Sequence, residues 1–277
     1  MAKARRPRYL DPDPTKAMQS RRHLGQYFTP SAVVDLAYDL LEWLAPSLTQ
    51  GYLVDPSCGD GAFLQGALRA GFAPRRLYGC DMDPALATVW NTLGLRSAGG
   101  PHLAVCDGLI GGAEGAFDVV VGNPPFAGSQ ALPADVAERG RFRWGQLVRQ
   151  RQWPPRLPRE LWFLERSVHL LRDGGLLAMV LPSGIFANRR WEPLRAALFA
   201  EVQVEAIVGL PRETFRASGA VVRTCLFVAR KTPLAPGHRV RLAELEAEEL
   251  SQASATLRKA WERQETIAAA EPWSRQR

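Results

Sequence analysis

Phe117-Asp118-Val119-Val120-Val121-Gly122, closed by Asn123-Pro124-Pro125-Phe126, is the stretch on which the fold turns. An apolar run of that length, rich in β-branched residues and stopped by a turn-forming Asn-Pro, reads as a buried parallel strand. Upstream, Leu53-Val54-Asp55-Pro56-Ser57-Cys58-Gly59-Asp60-Gly61-Ala62-Phe63 reads as a strand running through a glycine loop into a helix. Between the two, Leu77-Tyr78-Gly79-Cys80-Asp81-Met82-Asp83 reads as a strand closing on an acidic residue. Further strands are expected near 102–106, 175–181, 204–209 and 221–230, and helices near 31–44, 60–70, 84–93, 160–172 and 190–200. Alternation at this spacing predicts an α/β fold, a mostly parallel seven-stranded sheet with helices on both faces. The last run, Val221 to Arg230, follows its predecessor after only a loop. That forbids a parallel crossover and predicts a terminal antiparallel hairpin.

The 277 residues carry 35 Lys and Arg against 28 Asp and Glu, a formal charge of +7, and 46% are hydrophobic. Such a chain can bury a sizeable core, and its basic balance favours a polyanionic partner. Four cysteines, Cys58, Cys80, Cys106 and Cys225, lie far apart with no CxxC spacing. Neither a metal site nor a disulfide is expected, and the setting they indicate is a reducing cytoplasm. No apolar run reaches the ~18 residues of a membrane span. The expected organisation is a basic arm over 1–22, a catalytic domain over 23–235 and a helical extension over 236–277. Within the domain, 127–159 is an arginine-rich insertion where Arg141, Arg143, Arg149 and Arg151 are interleaved with Phe142, Trp144 and Trp153. That composition suits a surface that tracks phosphates and stacks bases; the alternative is a solvated loop whose tryptophans pack locally. In the extension, Leu242, Leu245, Leu250, Leu257 and Trp261 read as one stripe of a helix over 242–266, to be docked on another chain or at home.

A parallel sheet binds its ligand at the carboxyl ends of its strands. The loop there, Asp55 to Gly61, has glycines that let a ligand approach the backbone, but neither a GxGxxG nor a Walker pattern. With Asp55 and Asp60 at the helix start it would repel a phosphate, and it suits a cationic ligand. Asp81, ending the second strand, can accept both hydroxyls of a ribose; Asp107, ending the third, can accept from an exocyclic amine. At the end of the fourth strand, the Asn123 side-chain carbonyl and the Pro124 backbone carbonyl can each take one N–H of an aromatic amine. The prolines hold those acceptors in direction.

Together these motifs resemble the S-adenosylmethionine-dependent amino-methyltransferases, and most closely the DNA adenine-N6 group, over roughly Gly25 to Lys231. The resemblance implies a Rossmann-like class I methyltransferase fold, S-adenosyl-L-methionine as cofactor and double-stranded DNA as substrate. It further implies transfer to adenine N6, in a restriction-modification or related defence setting. On matching positions it assigns catalysis to Asn123, Pro124, Pro125 and Phe126, with Phe126 and Phe215 packing on a base that leaves the duplex. Cofactor contacts would come from Asp55, Pro56, Cys58, Gly59, Gly61, Asp81, Met82, Asp107, Gly108 and Asn123. Gly25-Gln26-Tyr27-Phe28-Thr29-Pro30 matches a segment that folds over the methionine moiety in that family, which assigns Tyr27 and Thr29 to it.

The chain departs from the stand-alone members, which append a target-recognition domain after the catalytic fold. Recognition is then expected from a specificity subunit or from the arginine-rich insertion, or else the substrate needs no duplex readout; the C-terminal helix is the expected docking element for a specificity subunit or a second copy. The same tetrapeptide serves RNA guanine-N2 and protein-glutamine methyltransferases, and a non-catalytic DNA-binding subunit can keep the fold. These are the alternatives.

Overall fold

In a computed structural model, which describes residues 29–110, 112–126, 129–130, 142–144, 157–215 and 222–262, the first apolar stripe is the buried face of α1 (Ser31–Leu44). The chain then alternates through β1 (Leu53–Asp55), α2 (Ala62–Arg69), β2 (Leu77–Asp81), α3 (Leu86–Thr92), β3 (His102–Val105) and β4 (Phe117–Gly122). A two-stranded pair, β5 (Ser129–Gln130) with β6 (Leu157–Pro158), stands apart from the main sheet. After it come α4 (Arg159–Leu170), β7 (Leu171–Pro182), one turn of α5 (Gly184–Ala187) and α6 (Glu192–Glu201). The chain continues through β8 (Gln203–Gly209), β9 (Thr224–Arg230), β10 (Arg241–Glu244) and α7 (Ala253–Glu262).

The main sheet has eight strands in the order β10-β8-β9-β7-β4-β1-β2-β3. Strands β7, β4, β1, β2 and β3 run parallel, with Leu53 opposite both Leu77 and Val119. Strand β9 lies antiparallel between β7 and β8, as the short connection from β8 requires. All seven expected strands are present, and an eighth, β10, joins β8 in parallel.

That eighth strand corrects the helix expected over 242–266. Arg241-Leu242-Ala243-Glu244 alternates, with Ala243 buried and Leu242 exposed, so Leu242 belongs to a strand, and Leu245 is buried just beyond it. The helix begins only at Ala253, and its apolar face is used at home. Leu257 is buried in the main core, Trp261 stacks on Trp43 of α1 at 5.7 Å, and the Arg241 guanidinium lies 4.6 Å above the same Trp43 ring.

Two cores flank the sheet. Helices α1, α2, α3 and α7 bury Leu41, Leu64, Trp90 and Leu257 on one face; α4 and α6 bury Leu164, Val168, Leu194 and Leu198 on the other. The crossover from β3 to β4 carries no helix among its described residues. It is pinned instead by the buried Arg166 of α4, which donates to the Gly112 carbonyl at 2.8 Å and pairs with Glu114 at 3.3 Å. No helix among the described residues is long and apolar enough to cross a membrane.

The contact between α1 and α2 is closed by a glycine with ordinary helical geometry. Tyr38 donates to the Phe63 carbonyl at 2.8 Å, and a Cβ on Gly66 would overlap Val34 and sit 2.7 Å from the Tyr38 ring. Gly66→Ala is therefore expected to lower the unfolding free energy by about 1–3 kcal/mol, through overpacking that outweighs the better helix propensity of alanine. A urea denaturation midpoint equal to or above wild type would show that the two helices separate freely.

Candidate active site

Strand β1 delivers Asp55 to the carboxyl edge of the sheet, where it is 1% exposed. Its Oδ1 accepts the Ser57 N–H at 3.0 Å, which starts the loop. Cys58 N–H then donates to the Cys80 carbonyl at 2.9 Å, tying the loop to β2, and Gly61 N–H donates back to the Cys58 carbonyl at 2.8 Å. Gly59 and Gly61 have φ of +53° and +88°, left-handed conformations that a side chain would strain. A Cβ on Gly59 would meet nothing within 4 Å, so this backbone lies open to a ligand.

Asp81 holds the loop from the other side. One oxygen accepts the Gly59 N–H at 3.1 Å and the other the Asp83 N–H at 3.0 Å. From α3, the fully buried Trp90 donates its Nε1–H to the Gly59 carbonyl at 2.7 Å. Sequence reasoning missed Trp90; its place on the apolar side of a helix signals burial, but its partner lies 31 residues away. Met82, beside Asp81, is 56% exposed, an apolar side chain presented where a planar ring of a ligand would pack. Asp107 accepts the Leu109 N–H at 2.9 Å, and a Cβ on Gly108 would overlap the Pro56 carbonyl, so the loops after β1 and β3 touch backbone to backbone.

Strand β4 brings in the tetrapeptide. A Cβ on Gly122 would lie 3.0 Å from Asp55 Oδ1, and that close approach sets Asn123 beside the β1 loop. Asn123 Nδ2 donates to Thr29 Oγ1 at 3.1 Å, which fixes the plane of the carboxamide. This link spans 94 residues, and the sequence assigned Thr29 only to the cofactor. Phe126 is half-buried against the main core, while Phe215 is 2% exposed within it, so Phe215 sits in the core and presents no open face.

The arginine-rich insertion needs a correction. Phe142 and Trp144 are both 1% exposed, packed in the α4–α6 core, and Trp144 donates its Nε1–H to Glu201 at 2.7 Å. These two aromatics pack locally and are not available to stack bases; Arg143 between them is exposed. Tyr27, Arg141, Arg149, Arg151 and Trp153 lie outside the described residues.

The crevice is acidic. Burial pushes the Asp55 carboxyl up to about 8, reinforced by the charges of Asp81 and Asp60 and only partly offset by the Ser57 N–H. Burial also raises Asp81, against the opposing hydrogen bonds from Asp83 and Gly59. A phosphate would raise these carboxyls further, whereas a cation would draw them into their ionised form, so the site favours a cation. Open glycine backbone, paired carboxyls and an exposed Met82 fit a ligand with a positive centre, a polyol and a flat ring, as S-adenosylmethionine has. No group of three His, Cys, Asp or Glu placed to hold a metal occurs among the described residues.

A glycine loop after β1, an acid after β2 and the inserted antiparallel β9 define a class I methyltransferase-like fold. The solved structures agree. A class I S-adenosylmethionine-dependent methyltransferase from Listeria monocytogenes superposes with a TM-score of 0.67 at 22% identity, covering 90% of this chain and 75% of its own. The type I restriction-modification methyltransferase subunit from Streptococcus thermophilus gives 0.66 at 20% identity, covering 86% and 53%. The chain belongs to the N-6 DNA methylase family, whose model matches residues 15–268. Among curated relatives, the type II methyltransferase M.TthHB8I of Thermus thermophilus is 29% identical over 191 residues, 67% of this chain and 41% of its own. The EcoEI type I methylase subunit of Escherichia coli is 25% identical over 241 residues, 78% of this chain and 44% of its own. The chain thus spans less than half the length of these two relatives.

The raised Asp55 makes folding pH-dependent with a definite sign. Between the ordinary carboxylate value, 3.8, and about 8, the unfolded chain has lost a proton that the folded chain keeps. Stability therefore falls as pH rises through this window, by up to about 1.4 kcal/mol per unit from this group. Asp55→Asn removes that slope, while Glu160, raised to about 7 by burial, contributes equally in both proteins. The variant is expected to gain on wild type between pH 5 and pH 8 in urea unfolding. A difference independent of pH would mean that Asp55 is ionised in the folded protein.

Proposed function

We propose that the chain transfers the methyl group of S-adenosylmethionine to the N6 amino group of adenine in double-stranded DNA, in a restriction-modification setting. The observation that carries the reading is the tetrapeptide at the end of β4, with Gly122 closed on Asp55 and the Asn123 carboxamide fixed by Thr29. Membership of the N-6 DNA methylase family supports it.

The cofactor supplies an electrophilic sulfonium methyl. Asp81 would accept from its ribose hydroxyls, Met82 would pack on its ring, and Asp55 with the open Gly59 backbone would receive its cationic amino-acid end. The chain's own part in the chemistry is to make a poor nucleophile attack. An adenine amine has its lone pair delocalised into the ring. The Asn123 Oδ1 and the Pro124 carbonyl accept its two N–H groups, which pulls the nitrogen toward tetrahedral geometry and frees the lone pair. These acceptors gain most as charge develops on nitrogen, so they bind the transition state better than the ground state. The extra proton leaves to water, because the alkylated nitrogen is a strong acid. Phe126 supplies the face against which the extruded base rests.

We infer that sequence specificity is supplied by a partner. The EcoEI relative is a type I methylase subunit, and a solved type I restriction-modification assembly shares the fold at a TM-score of 0.60 and 22% identity. A separate specificity subunit fits this better than docking through α7, whose described apolar residues are already covered by α1.

Methyl-labelled cofactor offered to DNA, RNA and protein pools, followed by nucleoside analysis, tests the proposal; label in N6-methyladenine of DNA is expected, and label elsewhere overturns it. Asn123→Ala should abolish transfer with cofactor affinity nearly unchanged. Asp81→Ala should weaken cofactor binding by about 1.5–3 kcal/mol, the worth of charge-assisted hydrogen bonds.

Thr29 separates two assignments. As the partner of Asn123, its replacement by alanine should lower kcat about tenfold, the equivalent of one hydrogen bond, while calorimetry returns an unchanged cofactor Kd. A raised Kd with intact kcat would instead place Thr29 on the methionine moiety.

A further inference from the structure

Right-handed crossovers require the connection from β3 back to β4 to pass over β2 and β1 on the face that α4 covers. That connection has no helix among its described residues, no described helix covers the sheet there, and a cavity of about 460 Å³ opens beside it. Its volume lies in the range of small-molecule sites. The wall is aromatic. Tyr78 stacks on His102 at 4.7 Å with 21° between the rings, and Phe117 meets Tyr78 edge-on at 5.5 Å. Arg96 and Ser97 stand at the side, and both are exposed.

The polarity is opposite to that of the cofactor crevice. The cavity is lined by one arginine and by no aspartate or glutamate, whereas Asp55, Asp60 and Asp81 surround the glycine loop. Among the described residues Arg96 has no carboxylate within ion-pair distance; its neighbour is the Trp90 ring, 6.0 Å away. A cation is therefore disfavoured here, and a flat ring carrying an anionic group is favoured. The ring would extend the Tyr78–His102 stack and the anion would meet Arg96, with the Ser97 hydroxyl as a further donor.

We propose that this cavity is a second, non-catalytic ligand site that takes a nucleoside monophosphate. Two features place it next to the cofactor loop without making it part of that site. Pro56 and Gly108, at the boundary with the cofactor crevice, line the cavity, and Asp55, Asp81 and Gly59 do not.

The protein carries its own reporter. Cys80 and Cys106 line the cavity and are half-buried, while Cys58 and Cys225 are buried elsewhere and serve as internal controls. The experiment measures N-ethylmaleimide labelling of Cys106 by peptide mass spectrometry, with saturating S-adenosylmethionine present so that AMP cannot occupy the cofactor crevice. AMP is expected to slow labelling of Cys106 and Cys80 at least fivefold, with adenosine and inorganic phosphate each much less effective. A 5′-phosphorylated single-stranded oligonucleotide tells the source: protection by it as well as by AMP extends the site to strand ends, and protection by AMP alone assigns the free nucleotide. Arg96→Glu, at an exposed position, should abolish protection while leaving the thermal midpoint unchanged. Absence of protection by AMP, equal protection by adenosine, loss of protection in the presence of S-adenosylmethionine, or protection that survives Arg96→Glu would each overturn the proposal. Cofactor titration is read separately, so failure of the methyltransferase reading appears as absent cofactor binding and not as absent thiol protection.

Discussion

A carboxyl group buried at the end of the central strand constrains everything around it. Asp55 sits between β4 and β2, out of water, with one N–H from Ser57 as its local support. Burying such a group opposes folding unless the surrounding backbone is committed to it. The commitment is visible in the glycines: Gly122 leaves room for its oxygen, and Gly59 and Gly61 take the left-handed conformations that turn the loop into α2. The second carboxyl, Asp81, then cross-links that loop to β2 through Gly59, and Trp90 closes it from below. The crevice is therefore preorganised by hydrogen bonds that exist before any ligand arrives, which is the condition under which acceptors and donors stabilise charge most effectively.

Much of this was legible because the relevant signals are local. A buried parallel strand announces itself as a continuous apolar run, and a short connector leaves a strand no choice but to pair antiparallel. Asp55, Asp81 and Asn123 stand out in the sequence because each ends or directly follows such a strand. The misreadings have equally physical causes. Residues 241–244 form a strand within a glutamate-rich window, and four alternating residues are too few to outweigh the helical spacing of leucines on either side. Phe142 and Trp144 were set among arginines, and an exposed Arg143 between two buried rings looks locally like a solvated surface. The Asn123–Thr29 and Trp90–Gly59 contacts join residues that only the folded sheet brings together, so no window of sequence contains them.

The two faces of the sheet divide the work. One face, under four helices, supports the glycine loop through α2 and α3. The other supports the tetrapeptide through α4, whose buried Arg166 also restrains the helix-free crossover. A helix in that crossover would have completed a symmetrical three-layer structure. Its replacement by a pinned loop keeps the connection from β3 to β4 to eleven residues, 106–116. Geometry at the crevice is gained, and coverage of β2 and β3 is given up.

That exchange has a consequence for the behaviour of the chain in solution. Strand β3 is the last in the sheet, and His102, Ala104 and Val105 are exposed on it, with Val105 at 44%. Among the described residues no strand pairs with its outer side, and an outer strand with no formally charged side chain is a template for pairing with another extended segment. Pro101 removes one donor at its start, but nothing in His102 to Val105 blunts the remainder. Self-association at high concentration would then run through four residues at the rim, and Ala104→Lys would oppose it without touching Asp55, Asp81 or Asn123.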